Sequence, residues 1–237
     1  MTWSIVARDA DGSFGVAIAS RFFAVGALCP YVRANAGAVA TQALCNPLYA
    51  MPALDAMARE ETPASIVEAL TAADEGRAHR QIHMIDAHGR IGAYTGGACI
   101  DWCGQMRGAG YSVAGNMLAG PDVLEATAKA YDAASSRPFA ERLIAALAAG
   151  EMAGGDKRGK QAAALLIATT EDYPALDLRV DDHSEPIAEL ARLYEKSAER
   201  FQPFVGCLPS RRRPAGIVDR AVIEAEIARF QHERRKD

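Results

Sequence analysis

The 237-residue sequence contains no apolar run approaching the roughly 20 residues needed to span a bilayer. Its beginning has no basic stretch followed by an apolar core, so no secretory signal is read there. Neither sign of charge dominates: 26 Lys and Arg against 30 Asp and Glu leave a net charge of −4. Such a balance gives no reason to expect nucleic acid or an anionic membrane as a partner. The five cysteines (Cys29, Cys45, Cys99, Cys103, Cys207) are odd in number and scattered. That argues against a disulfide framework and for a reducing compartment, so a cytoplasmic protein is expected. Metal-ligand spacing is missing too. Cys99 and Cys103 lack a second cysteine or histidine pair, and no other histidine stands at a recognisable spacing from Asp181-Asp182-His183. Neither a metal nor an organic cofactor is expected. Internal repeats and low-complexity segments are absent.

What is present is an ordinary globular balance, 50% hydrophobic and 24% charged, on a chain long enough to bury a sizeable core. The first 21 residues read as strand, Asp11-Gly12 turn and strand. Along the first strand Ser4, Val6 and Arg8 alternate with Trp3, Ile5 and Ala7, giving one mixed face and one apolar face. A third strand is expected over Val32–Leu44, rich in small residues that imply close approach of another layer or a ligand. Two helices follow, about Met51–Arg59 and one capped by Thr62 with Pro63 in its first turn. A hairpin through Ala87-His88-Gly89 comes next, then an extended stretch over Gln105–Leu118. Helices are expected from Pro121 to about Ala134 and from Pro138 to Gly150. Ala162–Ala168 reads as a central strand, Leu176–Val180 as an alternating one, and a helix capped by Ser184 follows.

Grouped strands and paired helices predict an α+β fold: a four-layer αββα sandwich of two antiparallel sheets. Residues 1–200 would form this domain. Residues 201–237 would form a Pro/Gly-rich linker and a last helix, about Ile217–Arg234, packed on the domain or on a partner subunit.

Thr2 is the first candidate for chemistry. Removal of Met1 would leave a hydroxyl and a free α-amine on one residue, a nucleophile and a base together. An α-amine pKa of roughly 7.7–8.0 suits a general base near neutrality. Hairpin pairing about Asp11-Gly12 sets Thr2 opposite Ser20 or Arg21, where the Arg21 guanidinium could orient a carboxylate bidentately. Asn46 and Asn116, amides near strand ends and glycines, could each donate to an oxyanion, or could simply be turn residues. The loop Gly154-Gly155-Asp156-Lys157-Arg158-Gly159-Lys160-Gln161 nearly matches a phosphate-binding loop. It runs from helix to strand, however, and Gln161 replaces the magnesium-holding hydroxyl, so that reading is rejected. A basic loop closing on an anionic ligand remains, with Arg158 in it. Asp182 could serve a ligand or the N-terminus of the following helix.

Several segments together resemble the family catalogued as domain of unknown function 1028. They are Thr2–Asp9, Gly15–Gly26, Gly37–Ala43, Cys99-Ile100-Asp101-Trp102, Gly115-Asn116-Met117-Leu118, Gly154–Gln161 and Arg179–His183. The resemblance covers nearly all of residues 2–195. It implies membership of the N-terminal-nucleophile (Ntn) hydrolase-like proteins and the same αββα sandwich. The first hairpin is also similar to that of proteasome β-subunits, and on that pattern Thr2 matches the nucleophile.

The expectation is therefore a hydrolase of a small amide-type C–N bond. Thr2, Arg21 and Asn116 would be catalytic, with Ser20, Thr41, Asn46, Asp101, Arg158 and Asp182 around a small-molecule substrate. Two alternatives stand beside it. One is a non-catalytic ligand-binding protein on the same fold. The other is a structural subunit of a homodimer or higher homo-oligomer, suggested by the apolar stripe Val222, Ile223, Ile227 and Phe230 on the last helix.

Overall fold

The computed structural model describes residues 2–234. Met1, on whose removal the expectation for Thr2 turns, lies outside the described residues. Ten strands form two antiparallel sheets. The larger sheet contains β1 (Thr2–Arg8), β2 (Phe14–Ser20), β7 (Trp102–Gly108), β8 (Tyr111–Leu118), β9 (Ala162–Ala168) and β10 (Leu176–Val180). Its order is β10-β9-β2-β1-β8-β7. The smaller sheet contains β3 (Pro30–Arg33), β4 (Gly37–Ala43), β5 (Arg80–Asp86) and β6 (Ile91–Thr95), in that order.

Helices α1 (Ala50–Ala58) and α2 (Pro63–Ala72) cover the outer face of the smaller sheet. Helices α3 (Asp122–Ala133) and α4 (Phe139–Met152) cover the outer face of the larger one. The expected αββα sandwich is thus present. The chain divides into one compact unit ending at Leu190 and a second beginning at Ala191, with α5 (Pro186–Ser197) running through the boundary.

Period-2 alternation explains how these strands build a site. Val39, Ile82 and Met84 point outward into a cluster with Leu54, Met57 and Ile66 of the covering helices. Between them along the chain, Ala38, Ala40 and Ile85 point inward and meet Val6, Phe14 and Val16 of the facing sheet. The inward set does not stay apolar. Two residues further along the same faces stand Gln42 on β4 and His83 and then Gln81 on β5. On β1, Ser4 and Thr2 follow Val6. All five are almost fully buried. The mixed face of β1 read from the sequence is therefore the one turned toward the second sheet.

Several local expectations are corrected. The single strand over Val32–Leu44 is two strands, β3 and β4, joined by a turn in which Asn35 takes φ 60. The stretch Gln105–Leu118 is a hairpin that starts earlier, at Trp102, and turns through Gly110 at φ 77. Helix α4 continues past Gly150 to Met152, because Gly150 is a packing position: a Cβ there would lie 2.4 Å from Thr127 Oγ1 and 2.7 Å from Trp3 Nε1. The supposed linker contains a short helix, α6 (Phe201–Val205), and the last helix, α7, spans Arg220–Arg234. Within the second unit α7 packs against α6, and Ile227 of its apolar stripe is buried.

Candidate active site

Three neighbouring strands place Thr2. It pairs with Ser20 across β2 and with Asn116 across β8, so the hairpin register expected about Asp11-Gly12 is the observed one. Its Oγ1 lies 3.0 Å from Ser20 Oγ, and Thr2 is 5% exposed. The exposed sliver faces a cavity of about 640 Å³. Thr2 and Asn116 line it together with Cys29, Cys45, Arg80 and Arg158, and Phe22, Leu44 and Ile100 supply apolar wall. A cavity of that size, mostly apolar with a few polar groups, fits a small organic molecule.

The backbone around this cavity is strained. Ala43 and Met117, both lining residues, take φ 67 and φ 54. Asp101 (φ 55) follows the lining Ile100, and Ala24 (φ 52) stands two residues after the lining Phe22. Left-handed backbone at residues with a Cβ costs on the order of 1 kcal/mol each and tends to collect at functional sites.

Behind Thr2 a chain of buried polar side chains runs between the sheets. Asn116 Nδ2 donates to the Thr2 carbonyl (3.4 Å) and to Gln81 Oε1 (3.1 Å). Gln42 Nε2 donates to the same Gln81 oxygen at 2.7 Å, and Ser4 Oγ donates to Gln42 Oε1 at 2.7 Å. Ser4 has one proton and gives it to Gln42, so the 2.7 Å contact with His83 Nε2 must be an N–H donating to Ser4 Oγ. His83 Nδ1 is then the acceptor facing Ser112 Oγ at 3.1 Å. Burial holds the His83 pKa down to about 3, so the ring is neutral at pH 7. Asn116 Oδ1 is buried and has no hydrogen-bond partner among the described residues.

Of the other expected site residues, Arg158 lines the cavity and the rest fall around it. Ser20 meets Thr2 as described. The Arg21 guanidinium turns to the 156–159 loop and donates to the Arg158 carbonyl at 3.1 Å, while its backbone N–H donates to Asp156 Oδ2 at 2.7 Å. Asp156 also accepts from the Arg158 backbone N–H (2.8 Å) and ion-pairs with the Arg158 guanidinium (3.2 Å). Arg158, not Arg21, is therefore the cation on this side of the cavity. Thr41 is buried, and its Oγ1 accepts from the Asn46 N–H at 3.0 Å. Asn46 accepts from the Leu48 N–H (3.1 Å) and donates to Asp74 (3.2 Å), which makes it a turn cap. Asp101 pairs with Lys157 at 3.3 Å, and Asp182 accepts from Gln161 at 3.2 Å.

Sequence reading missed Gln42, Gln81 and His83 as a connected set. The signal that could have found them is a polar residue at every second position in strands otherwise apolar on that face. It also missed Arg80, held by Asp74 (3.0 Å) and by the Leu44 carbonyl (2.6 Å). Among the described residues, no group of three or more His, Cys, Asp or Glu side chains is placed to hold a metal ion, and no helix is long and apolar enough to cross a membrane.

The chain belongs to the family of unknown function DUF1028, whose match spans residues 2–190. It is also similar to the crystal structure of protein SPO2555 from Silicibacter pomeroyi, described with the same family. That similarity covers 92% of this chain and 99% of the other, at 32% sequence identity and a TM-score of 0.85. No curated protein matches the sequence. The family match ends where the first compact unit ends and contains every residue that lines the cavity.

Proposed function

We propose that the chain hydrolyses a small amide-type C–N bond with Thr2 as nucleophile, in the manner of N-terminal-nucleophile hydrolases. The observation that carries this reading is the seat of Thr2: its side chain reaches the cavity from the first residue of a central strand, between Ser20 and Asn116. The reading requires removal of Met1. The freed α-amine then accepts the Oγ1 proton as Oγ1 attacks the substrate carbonyl. The tetrahedral intermediate collapses, the C–N bond breaks, and the ammonium returns its proton to the leaving amine. Water repeats the sequence on the acyl-enzyme and releases the acid.

Asn116 suits two parts of this scheme. Its Nδ2 holds the Thr2 carbonyl, and its Oδ1, buried without a partner among the described residues, is an open acceptor on the residue paired with Thr2. Because both Nδ2 protons are engaged, the developing oxyanion falls to a backbone N–H of the cavity wall. Arg80 and Arg158 line the cavity, each ion-paired with an aspartate, and guanidinium donors held in this way suit a substrate carrying a carboxylate or similar anion beside an apolar portion. Arg21 backs Arg158 through its carbonyl.

The test begins with intact mass, which should show Met1 absent. Processed protein is then assayed on a panel of small amides and ureido compounds beside Thr2→Ala. Loss of the nucleophile should reduce kcat/KM by at least roughly 10³-fold. Equal activity in the two proteins ends the assignment.

A further inference from the structure

The cavity wall holds two cysteines side by side. Cys29 ends the turn that follows β2: its N–H donates to the Val25 carbonyl (3.2 Å), and its carbonyl accepts from Thr41 N–H (3.0 Å). Cys45 follows the end of β4, where the positive φ of Ala43 turns the chain away from the sheet. Its peptide neighbours are fixed on both sides. The Leu44 carbonyl accepts from Arg80 Nη1 (2.6 Å), and Asn46 N–H donates to Thr41 Oγ1 (3.0 Å). Both thiols line the cavity that Thr2 reaches, and Cys45 packs against the buried cluster that contains Cys29.

Their surroundings differ in a way that assigns roles. Cys29 is buried in an apolar cluster with Ile18, Val25, Ala162 and Ala164, which favours the neutral thiol. Cys45 is half-buried at the edge of the same cluster and feels the Arg80 guanidinium. Interaction with the Cys29 thiol, the Arg80 charge and a backbone hydrogen bond together outweigh burial and hold the Cys45 pKa below the usual thiol value, while Cys29 is pushed up by the same interaction and by burial. Cys45 is therefore the readier of the two to form the thiolate, the form that acts as nucleophile. Cys99 lines the same cavity, but burial raises its pKa, and its Sγ is turned to the Arg80 carbonyl at 3.5 Å.

We propose that Cys29 and Cys45 form a peroxide-reactive dithiol in the cavity wall, with Cys45 as the attacking thiolate and Cys29 as the resolving thiol. The oxidant is a small hydroperoxide, hydrogen peroxide being the simplest. Cys45 sulfur attacks one peroxide oxygen, the O–O bond breaks, and the departing hydroxide takes up a proton to become water. Cys45 is left as a sulfenic acid. Cys29 sulfur then attacks Cys45 sulfur, the S–O bond breaks, and the second hydroxide leaves as water with the Cys29 proton. One peroxide is reduced and one disulfide is formed. None of these steps uses the Thr2 hydroxyl, so failure of the Thr2 assignment would leave the dithiol untouched.

The experiment uses the full chain, reduced and freed of reductant, at pH 7. Brief exposure to hydrogen peroxide is followed by alkylation and peptide mapping under non-reducing conditions. A Cys29–Cys45 cross-linked pair, lighter by two hydrogens and abolished by thiol reductant, is the expected product. Cys45 should also be alkylated several-fold faster than Cys99 in the untreated protein. In Cys29→Ser, Cys45 should stop at the sulfenic acid and be trapped by dimedone. In Cys99→Ser the cross-link should persist. Persistence of a sulfenic acid on Cys45 in the parent protein, or oxidation spread evenly over all five cysteines, would overturn the proposal. The mapping on the parent decides this even where a variant fails to fold.

Discussion

The neutral, fully buried His83 makes a pH-dependent stability that can be worked out in advance. Its folded pKa is about 3, against 6.5 for an ordinary imidazole. Below pH 6.5 the unfolded chain binds a proton at this residue and the folded chain does not, so stability falls as pH falls between 6.5 and about 3. Above 6.5 both states are neutral, and the residue contributes no pH dependence. The slope approaches about 1.4 kcal/mol per pH unit, and from pH 6.5 to 5.0 the loss comes to roughly 1.5–2 kcal/mol. That figure is set by the unfolded value and is insensitive to the folded one, provided the folded pKa stays well below 5. Cys45, whose folded pKa is lowered from 9.0, contributes stability at high pH that is lost as pH falls through the lowered value, a separate dependence that parent and variant share. Urea unfolding followed by tryptophan fluorescence suits the measurement, because Trp3 and Trp102 both lie in the first unit. His83→Gln is the comparison. Its amide can still donate toward Ser4 and accept from Ser112, but it cannot titrate. The parent should lose roughly 1.5–2 kcal/mol more than the variant between pH 6.5 and 5.0. Equal losses would mean that His83 titrates like an exposed imidazole and that the tautomer chain from Ser112 to Gln42 is misassigned.

Other expectations follow from the same geometry. Leu54→Ala removes a side chain enclosed by Val39, Met57, Ile66 and Met84, and should cost about 2–5 kcal/mol in denaturant unfolding. Asp156→Ala strips the partner from the backbone N–H groups of Arg21 and Arg158 and from the Arg158 guanidinium. It should cost about 1–3 kcal/mol and speed protease cleavage of the 154–160 loop; an unchanged cleavage rate would show that the loop is held by other contacts. For the proposed hydrolase, kcat/KM should rise with pH through roughly 7.7–8.0 as the Thr2 amine loses its proton. A flat profile from pH 6 to 9 would exclude that amine as the base.

The sequence carried the sandwich because its long-range order is written in local signals. Asp11-Gly12, Thr62-Pro63 and the apolar run Ala162–Ala168 each specify one element, and few arrangements join grouped strands to paired helices. The same locality explains the misreadings. The turn at Asn35 and the fold of β7 onto β8 need left-handed backbone, and small residues through both stretches hid the reversals inside apparently continuous strands. The pairing of Thr2 with Ser20 was legible because hairpin register is a short-range property, whereas the pairing of Thr2 with Asn116 joins β1 to β8 and shows only in the fold. Arg21 shows where that reasoning stops. Register fixes its Cα beside Thr2, but the direction of its side chain is set by a carbonyl 137 residues away in sequence. The buried amides are the clearest case. Gln42, Gln81 and Asn116 come from three strands in two sheets, and each looks like an ordinary polar residue until the layers are stacked. Once stacked, they are costly to bury unless fully paired, and two of the three are. The third, Asn116, leaves its Oδ1 open, and it is the residue paired with Thr2 across β8. Among the described residues, buried atoms without a partner also occur away from the cavity, at Trp3 Nε1, Tyr131 OH and Glu151 Oε1, so what ties Asn116 to the candidate site is its place in the lining and in register with Thr2, and the open acceptor adds to that placement rather than replacing it.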